Sequence, residues 1–589
     1  MKILLNDILD SGEVPQNWKT SITKLIPKNS KPKVNELRPI ALTNISYKIL
    51  MGILKSKIEK HLKESQTIND FQTGATSGRR VSENAFILRY CIEQTFINKE
   101  KLYVLSIDFA KAFDSVDRYA MIKVLQKIKL HPKIVNIVAE IYKNDSTTVF
   151  FNQEEVADFN ISTGIRQGCN LSALLFILIT YEIIESIQKL NFGYKDEEFH
   201  ISSLFYMDDG IIFTRNETEM INIISRIEFI CIRYGLKLNK NKSKIMIIND
   251  KMRINEDNDK ISDIDIVNKI KYLGILIDDK KKCFESHKIQ MNEKAIKLSN
   301  QIYAILENSC NRMLIGKTFY KGLVLPSILY ANEIITLNET EIETLQKHDN
   351  KAYRYILQVP IYTAIEFLRG EIGASSSRAR DFKNKLLFLK HSLQPNRNAL
   401  LQDIVIHEMR NKKTIWAKNI LKIMELIGVT LQDIKEISTE IIKNKVKKWD
   451  TLQWRIKMDT KSTLELYRNS KNEICEEKWF RNGLKYSVML KARANALKLG
   501  ERDWENTTNI CNLCHGDSEN LEHFLFHCSP LQETRNHFIH LQLPSNYNHN
   551  DLMKTILLFN EDPDFCKEYF IDMVYKMWLK RNNILKSSN

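Results

Sequence analysis

A chain of 589 residues, 43% of them hydrophobic, can bury a sizeable core and has room for several domains. Its 87 Lys and Arg outweigh 72 Asp and Glu to leave a formal charge of +15, spread through helical stretches, which suits a polyanionic partner such as nucleic acid. The opening "MKILLNDILDSGEVPQ" interrupts its apolar patch with Asn6 and Asp7 and so is not expected to be a signal peptide, while the longest apolar run, "LSALLFILITYEII" from Leu171, is too short to cross a bilayer and is expected to be a buried helix.

Up to about residue 100 the chain alternates short apolar runs with basic helices. Pro27, Pro32 and Pro39 punctuate a strand, a loop and a second strand, and "YKILMGILKSKIEKHL" follows as a helix. "YVLSIDF" has strand composition and "YAMIKVLQKI" has helical period, which sets Asp108 at a strand's C-terminal end. A helix near Asn170 to Leu190 precedes the hairpin "LFYMDDGIIF", then come the helix "EMINIISRIEFICIRYGL" and the strand "KSKIMIIND". This order predicts an α+β palm, a sheet covered by helices on one face. After "IKYLGILID" the sequence reads as almost wholly helical to about residue 500, broken at "GASSSRAR", Gly373 to Arg380, with domain junctions expected near 280 and 400. Most of the cysteines are isolated, the usage of a reducing compartment, so no disulfides are expected.

Carboxylates that end neighbouring strands can converge, and Asp108 with Asp208 and Asp209 at the hairpin tip offers such a trio. A lone "DD" is ordinarily an Asx turn. Three clustered charges, however, repel and need a counter-cation. The hard cation for an all-oxygen site is Mg²⁺ or Mn²⁺, and two such ions can activate a hydroxyl while holding the leaving phosphate oxygens. That is the chemistry of nucleotidyl transfer.

"FYMDDG" resembles the Y-x-D-D hairpin of reverse transcriptases, "SIDFAKAFDSVD" their first catalytic strand, and "GIRQGCNLSALLF", Gly164 to Phe176, the motif that follows. "LIPK…ELRPIALTN" resembles the fingers motif, "GLKLNKNKSKIM" the motif after the catalytic hairpin, and "IKYLGILID" the primer-grip turn. Six motifs in order, over roughly residues 15 to 400, resemble the non-long-terminal-repeat (LINE-type) retrotransposon polymerases.

The resemblance implies a right-hand polymerase: fingers at 1–100, palm at 101–280 (the reverse transcriptase domain spanning about 15–280) and a helical thumb at 281–400. A basic helical linker would follow at 401–505, a CCHC zinc segment at 506–535 and a helical tail at 536–589. It implies that Asp108, Asp208 and Asp209 hold two divalent ions, Mg²⁺ or Mn²⁺, with the backbone carbonyl of Phe109 as a further ligand. Phe113 would lie under the sugar of the incoming nucleotide and favour dNTPs, and Lys28 and Arg38 would grip the triphosphate. Gln167 would brace the nucleotide and template, and Lys242 would protonate the leaving pyrophosphate. The family usually has Pro after the motif's Ser, where Ala173 follows Ser172 here. Asp114 and Asp117 are expected to be caps and surface charges.

"CNLCHGDSENLEHFLFHC" reads C-x2-C-x8-H-x4-C, so Cys511, Cys514, His523 and Cys528 could complete a tetrahedral shell for one structural Zn²⁺. His515 and His527 are rivals, but His527 adjoins Cys528 and would point elsewhere, which favours His523. Trp479, Arg481, Lys485, Lys491 and Arg493, just upstream, are candidate contacts to RNA or DNA.

Expected partners are a template RNA, the element's own transcript, together with a target DNA primer and dNTPs, with no membrane. In a eukaryotic source the site of action would be the nucleus, after cytoplasmic assembly with RNA. No endonuclease or RNase H carboxylate set is visible on either side of the polymerase motifs. Two other readings are a nucleic-acid-binding remnant without turnover and an intron-type maturase. Intact Asp108, Asp208, Asp209, Gln167 and Phe113 weigh against the first, and the CCHC segment against the second.

Overall fold

The protein, described as a computed structural model, is defined at all residues except 28–32, 34–36, 66–69, 77, 153, 251–258, 308–311, 396–397, 482, 501–509, 517, 540–548, 560–563 and 588–589. It divides into two compact units, Met1–His287 with Ser392–Thr414, and Lys288–His391 with Ile415–Asn589.

In the first unit the strands run in chain order as β1 (Thr20–Pro27), β2 (Leu37–Leu42), β3 (Leu102–Ile107), β4 (Ser146–Phe151), β5 (Glu154–Asn160), β6 (Tyr194–Lys195) and β7 (His200–Ile201). They continue as β8 (Ser203–Tyr206), β9 (Asp209–Thr214), β10 (Lys244–Ile248), β11 (Lys260–Ile261), β12 (Ile264–Ile266), β13 (Lys269–Tyr272) and β14 (Ile275–Asp278). One sheet has the order β2-β1-β4-β5, with Pro39 on its edge strand, where a missing N–H costs no ladder bond.

The larger sheet has the order β11-β12-β10-β3-β9-β8, which makes β3 an inner strand. Side chains alternate faces along a strand. Tyr103, Leu105 and Ile107 join a core with the helices Ser172–Gln188 and Glu217–Arg233, yet Leu102 and Val104 are buried too. The other face is covered by the helix Val81–Asn98, which meets β8 and β10 and is buried along most of its length. The expectation of helices on one face is therefore corrected. "LYVLSI" is apolar at every position but Ser106 because both its faces are buried.

The helix Ala399–Asn411 belongs to this first unit. Arg89, buried on Val81–Asn98, donates to Glu93 at 3.1 Å and to Glu408 at 2.6 Å, and Asp70 accepts from the Ala399 N–H at 3.1 Å. Removing one partner of such a buried pair leaves an uncompensated charge, at a cost of about 3–5 kcal/mol.

The second unit is helical, with Glu339–Leu357, Ser377–Ser392 and Thr439–Asp459 among its longer helices. The "GASSSRAR" break becomes a buried polar junction here: Ser376 donates to Asp450 at 2.7 Å, Ser377 donates to Asp349 at 2.7 Å, and Arg380 pairs with Asp349. Among the described residues, no helix is long and apolar enough to cross a membrane.

Candidate active site and metal-binding cluster

Asp108 immediately follows β3, and the antiparallel register pairs Ile107 with Gly210, so Asp108 stands opposite Asp209 at the same end of the sheet. Asp208 occupies the turn between β8 and β9, where Tyr206 pairs with Asp209. The strands approach closely at Gly210: a Cβ there would lie 2.7 Å from the Phe205 ring and 2.8 Å from the Ile107 side chain.

The hairpin turn is held from below. Met207 has φ of +59°, a conformation that costs a non-glycine residue about 1–3 kcal/mol unless its surroundings enforce it. Buried Gln72 supplies the enforcement: its Oε1 accepts from the Met207 N–H at 3.1 Å and the Gly74 N–H at 2.9 Å, and its Nε2 donates to the Thr180 hydroxyl at 2.9 Å. Residues 71–73 also pair with Phe205, closing the exposed edge of β8. Neither Gln72 nor its loop stood out in the sequence, because nothing in "NDFQTGATSG" carries catalytic chemistry.

Asp108 is oriented by residues that the sequence reading also passed over. Asn239 donates from Nδ2 to Asp108 Oδ2 at 3.0 Å and from its backbone N–H to the Asp108 carbonyl at 2.8 Å. The Ser243 hydroxyl accepts from the Asp108 N–H at 3.1 Å and donates to the Asn239 carbonyl at 2.9 Å. "LNKNKS" is thus a clamp on the first aspartate. Lys242 lies on the same loop, with Nζ 3.9 Å from Asp108 Oδ2 and its side chain 68% exposed.

Burial raises the Asp208 carboxyl above its ordinary range, with repulsion from Asp108 adding to the rise and the Arg38 charge opposing it. Asp209 is pushed up to about 6 by desolvation at the hairpin tip, then by repulsion from Asp208 and Asp108. Its side chain remains open to solvent, which screens part of that repulsion. Three carboxylates gathered at one end of the sheet form a donor set suited to a hard divalent cation.

Around the trio, Phe109 is buried and bridges to Leu238, and Phe113 stacks on Phe176 with ring centroids 4.8 Å apart and planes 12° apart. Gln167 donates to Asp114 Oδ1 at 3.0 Å, and its carbonyl accepts from the Ala41 N–H at 2.7 Å, tying the loop to β2. Gly168, at φ +108°, lets that loop approach: a Cβ would lie 2.9 Å from the Ala41 carbonyl oxygen. Asp117 caps the helix Arg118–Lys127 as expected, whereas Asp114 holds Gln167. Arg38 is exposed on β2, close enough for its charge to act on Asp208, and Lys28 lies outside the described residues.

In the second unit, Cys511, Cys514, His523 and Cys528 bring their four donor atoms within 4.8 Å of one another. Tetrahedral zinc with Zn–S of about 2.3 Å places two sulfurs about 3.8 Å apart. The Cys511 and Cys528 sulfurs are 3.8 Å apart, and Cys514 Sγ is 3.3 Å from His523 Nε2. His523 and Cys528 are five residues apart, a spacing that an α-helix would turn to different faces. The segment His523–His527 is instead a π turn, closed by the Cys528 N–H donating to the His523 carbonyl at 2.9 Å, which returns both side chains to one side. Burial pushes the Cys511 and Cys528 thiols up, with the neighbouring thiols raising Cys528 further.

The basic stretch upstream is engaged internally. Arg493 is buried, paired with Glu371 at 3.0 Å and set over the Trp479 and Phe559 rings. Lys485 contacts Glu568 and Asp572, Arg481 lies 3.4 Å from Glu568, and burial lowers the Lys491 pKa. As nucleic-acid contacts, Trp479 and Arg493 are therefore corrected to core residues.

Residues 26–277 match the family model described as reverse transcriptase (RNA-dependent DNA polymerase). The chain is 26% identical over 241 residues to the retrovirus-related Pol polyprotein from type-1 retrotransposable element R2 of Nasonia vitripennis, covering 40% of this chain and 23% of that protein. It is 24% identical over 385 residues to the probable RNA-directed DNA polymerase from transposon BS of Drosophila melanogaster, covering 62% and 41%. A third relative, the transposon TX1 149 kDa protein of Xenopus laevis, is 24% identical over 294 residues, covering 49% and 22%. The chain thus spans less than half the length of each of these relatives. Apo telomerase from Candida tropicalis aligns with 74% of this chain and 70% of its own at 13% identity, with a TM-score of 0.37, too slight a likeness to bear on function. Residues 26–277 are a reverse transcriptase domain with a mixed α+β fold, and the chain that carries them is similar to the polymerases of non-long-terminal-repeat retrotransposons.

Proposed function

We propose that the protein is the RNA-directed DNA polymerase of a non-long-terminal-repeat retrotransposon. It extends a DNA primer 3′-hydroxyl with dNTPs on an RNA template, the element's own transcript, and a nicked target DNA supplies the primer. In a eukaryotic host the nucleus would be its site of action. The observation that carries this reading is the meeting of Asp108 with Asp208 and Asp209 across paired strands.

Asp108, Asp208 and Asp209, with the Phe109 carbonyl, would hold two Mg²⁺ ions, which when bound supply the positive charge that activates a hydroxyl and steadies the departing phosphate oxygens. Arg38, planar and always charged, suits the triphosphate, a task Lys28 would share. Phe113, pressed flat on Phe176, gives a rigid ring against which a ribose 2′-hydroxyl would collide. Gln167, anchored by Asp114, braces the nucleotide and template. Lys242 stands near enough to Asp108 to deliver a proton to the leaving pyrophosphate. Cys511, Cys514, His523 and Cys528 would hold one structural zinc ion, and the segment they organise would contact nucleic acid.

Primer extension with dTTP and Mg²⁺ on poly(rA)/oligo(dT) tests the reading. The wild type should extend the primer and the Asp208→Asn, Asp209→Asn double variant should not. A wild type that binds the duplex without extending it would refute the polymerase assignment.

A further inference from the structure

The π turn that aligns His523 with Cys528 also aligns the residues one position earlier. Glu522 and His527 share the same five-residue separation, so they emerge together on the outer side of the turn while His523 and Cys528 face the thiols. His549, at the start of the helix His549–Ile556, meets them there: its Nδ1 is 3.6 Å from Glu522 Oε1, and His527 Nε2 is 4.0 Å from the same oxygen. Those gaps are too long for hydrogen bonds. They lie about 0.3 and about 0.7 Å beyond the roughly 3.3 Å that separates nitrogen and oxygen ligands around tetrahedral zinc with bonds of about 2.0 Å. The His549 ring stacks on Phe526 at 5.4 Å with planes 22° apart, and the His527 ring packs on the edge of the same phenylalanine at 6.3 Å. Phe526 thus packs against both imidazoles.

We propose that Glu522, His527 and His549 form a second zinc site, separate from the four-ligand cluster. Two imidazoles and one carboxylate are a donor set that zinc accepts, and three protein ligands leave the fourth position to water. All three side chains are about half exposed, so the ion would exchange faster and bind more weakly than one enclosed by Cys511, Cys514, His523 and Cys528. Its structural effect would be to tie the helix His549–Ile556 to the turn that carries Cys528. The inference is independent of the polymerase reading, since it concerns only the second unit.

The test is a Zn²⁺ titration of the full-length protein against a chromophoric chelator, with bound metal counted by mass spectrometry. The wild type should bind two zinc ions, one tight and one at least about tenfold weaker, and the His549→Ala and His527→Ala variants should bind only the tight one. Glu522→Gln should weaken the second site and leave the first unchanged. Because the substituted side chains are exposed, the melting temperature of the zinc-loaded tight site should stay within about a degree of wild type. A wild type that saturates with one ion, a His549→Ala variant that still binds two, or a variant that loses both would each overturn the proposal.

Discussion

The palm carboxylates and the cysteine cluster gather candidate metal ligands by opposite means. Asp108 and Asp208 are far apart in sequence and meet because β3 and β9 pair in the middle of a buried sheet, with Gln72 and Asn239 holding them from either side. The four zinc-type ligands lie within one short segment, Cys511 to Cys528, and meet through a knuckle and a single π turn. A sheet packed on both faces keeps its shape without an ion, so the aspartates should remain in place when metal is absent. A short segment has little core of its own, and its thiols, raised by burial, are expected to depend on a cation to stay together. Metal is therefore expected to be catalytic equipment in one region and a folding element in the other.

That contrast can be broken most sharply at Asp108. Asp108→Asn should slow primer extension by at least about a thousandfold, or about 4 kcal/mol of barrier, while the metal-free melting temperature does not fall. A large drop in stability would show that the site is built around its ion. Lys242→Ala should follow with a loss of about a hundredfold in extension rate and little change in dNTP KM, the size expected of a positioned general acid. Single-turnover kinetics would separate the two constants.

Asn239→Ala sharpens the comparison further, because Asn239 touches Asp108, a proposed metal ligand, and would not touch substrate. Removing such a support should lower activity about tenfold and raise the Mg²⁺ concentration for half-maximal rate by a similar factor. An unchanged Mg²⁺ dependence would mean that the Asn239 contact is incidental. The smallest effect on extension belongs to the other region. Cys511→Ser, or a strong chelator, should strip zinc and expose residues 510–539 to hydrogen exchange, while extension of a short homopolymer template is nearly unchanged.

Much of this site could be read from the sequence, and the reasons are local. "YVLSIDF", "FYMDDG" and C-x2-C-x8-H-x4-C carry their chemistry in short spans, and strand propensity with ligand type is enough to place Asp108, Asp208, Asp209, Cys511, Cys514, His523 and Cys528 in two groups. What escaped were supports that act through geometry. Gln72 is a buried polar residue defined by the turn above it, and Asn239 works through one side-chain bond to a strand remote in sequence. Asp114 reads as a helix cap but holds Gln167. Arg493 and Trp479 look like a nucleic-acid contact because charge and aromaticity are visible in a sequence, whereas the Glu371 that buries Arg493 is not adjacent to it. The π turn, likewise, appears only as an awkward x4 spacing until the backbone is seen.

Mn²⁺ binding, followed by the loss of its free-ion electron paramagnetic resonance signal in the presence of an RNA/DNA duplex and a non-hydrolysable dNTP, tests the central claim most directly. Wild type should take up two Mn²⁺ ions at the palm, and Asp108→Asn should lose that uptake while still binding the duplex. Equal Mn²⁺ uptake by the two proteins would contradict the assignment of these carboxylates as the ligands of a polymerase.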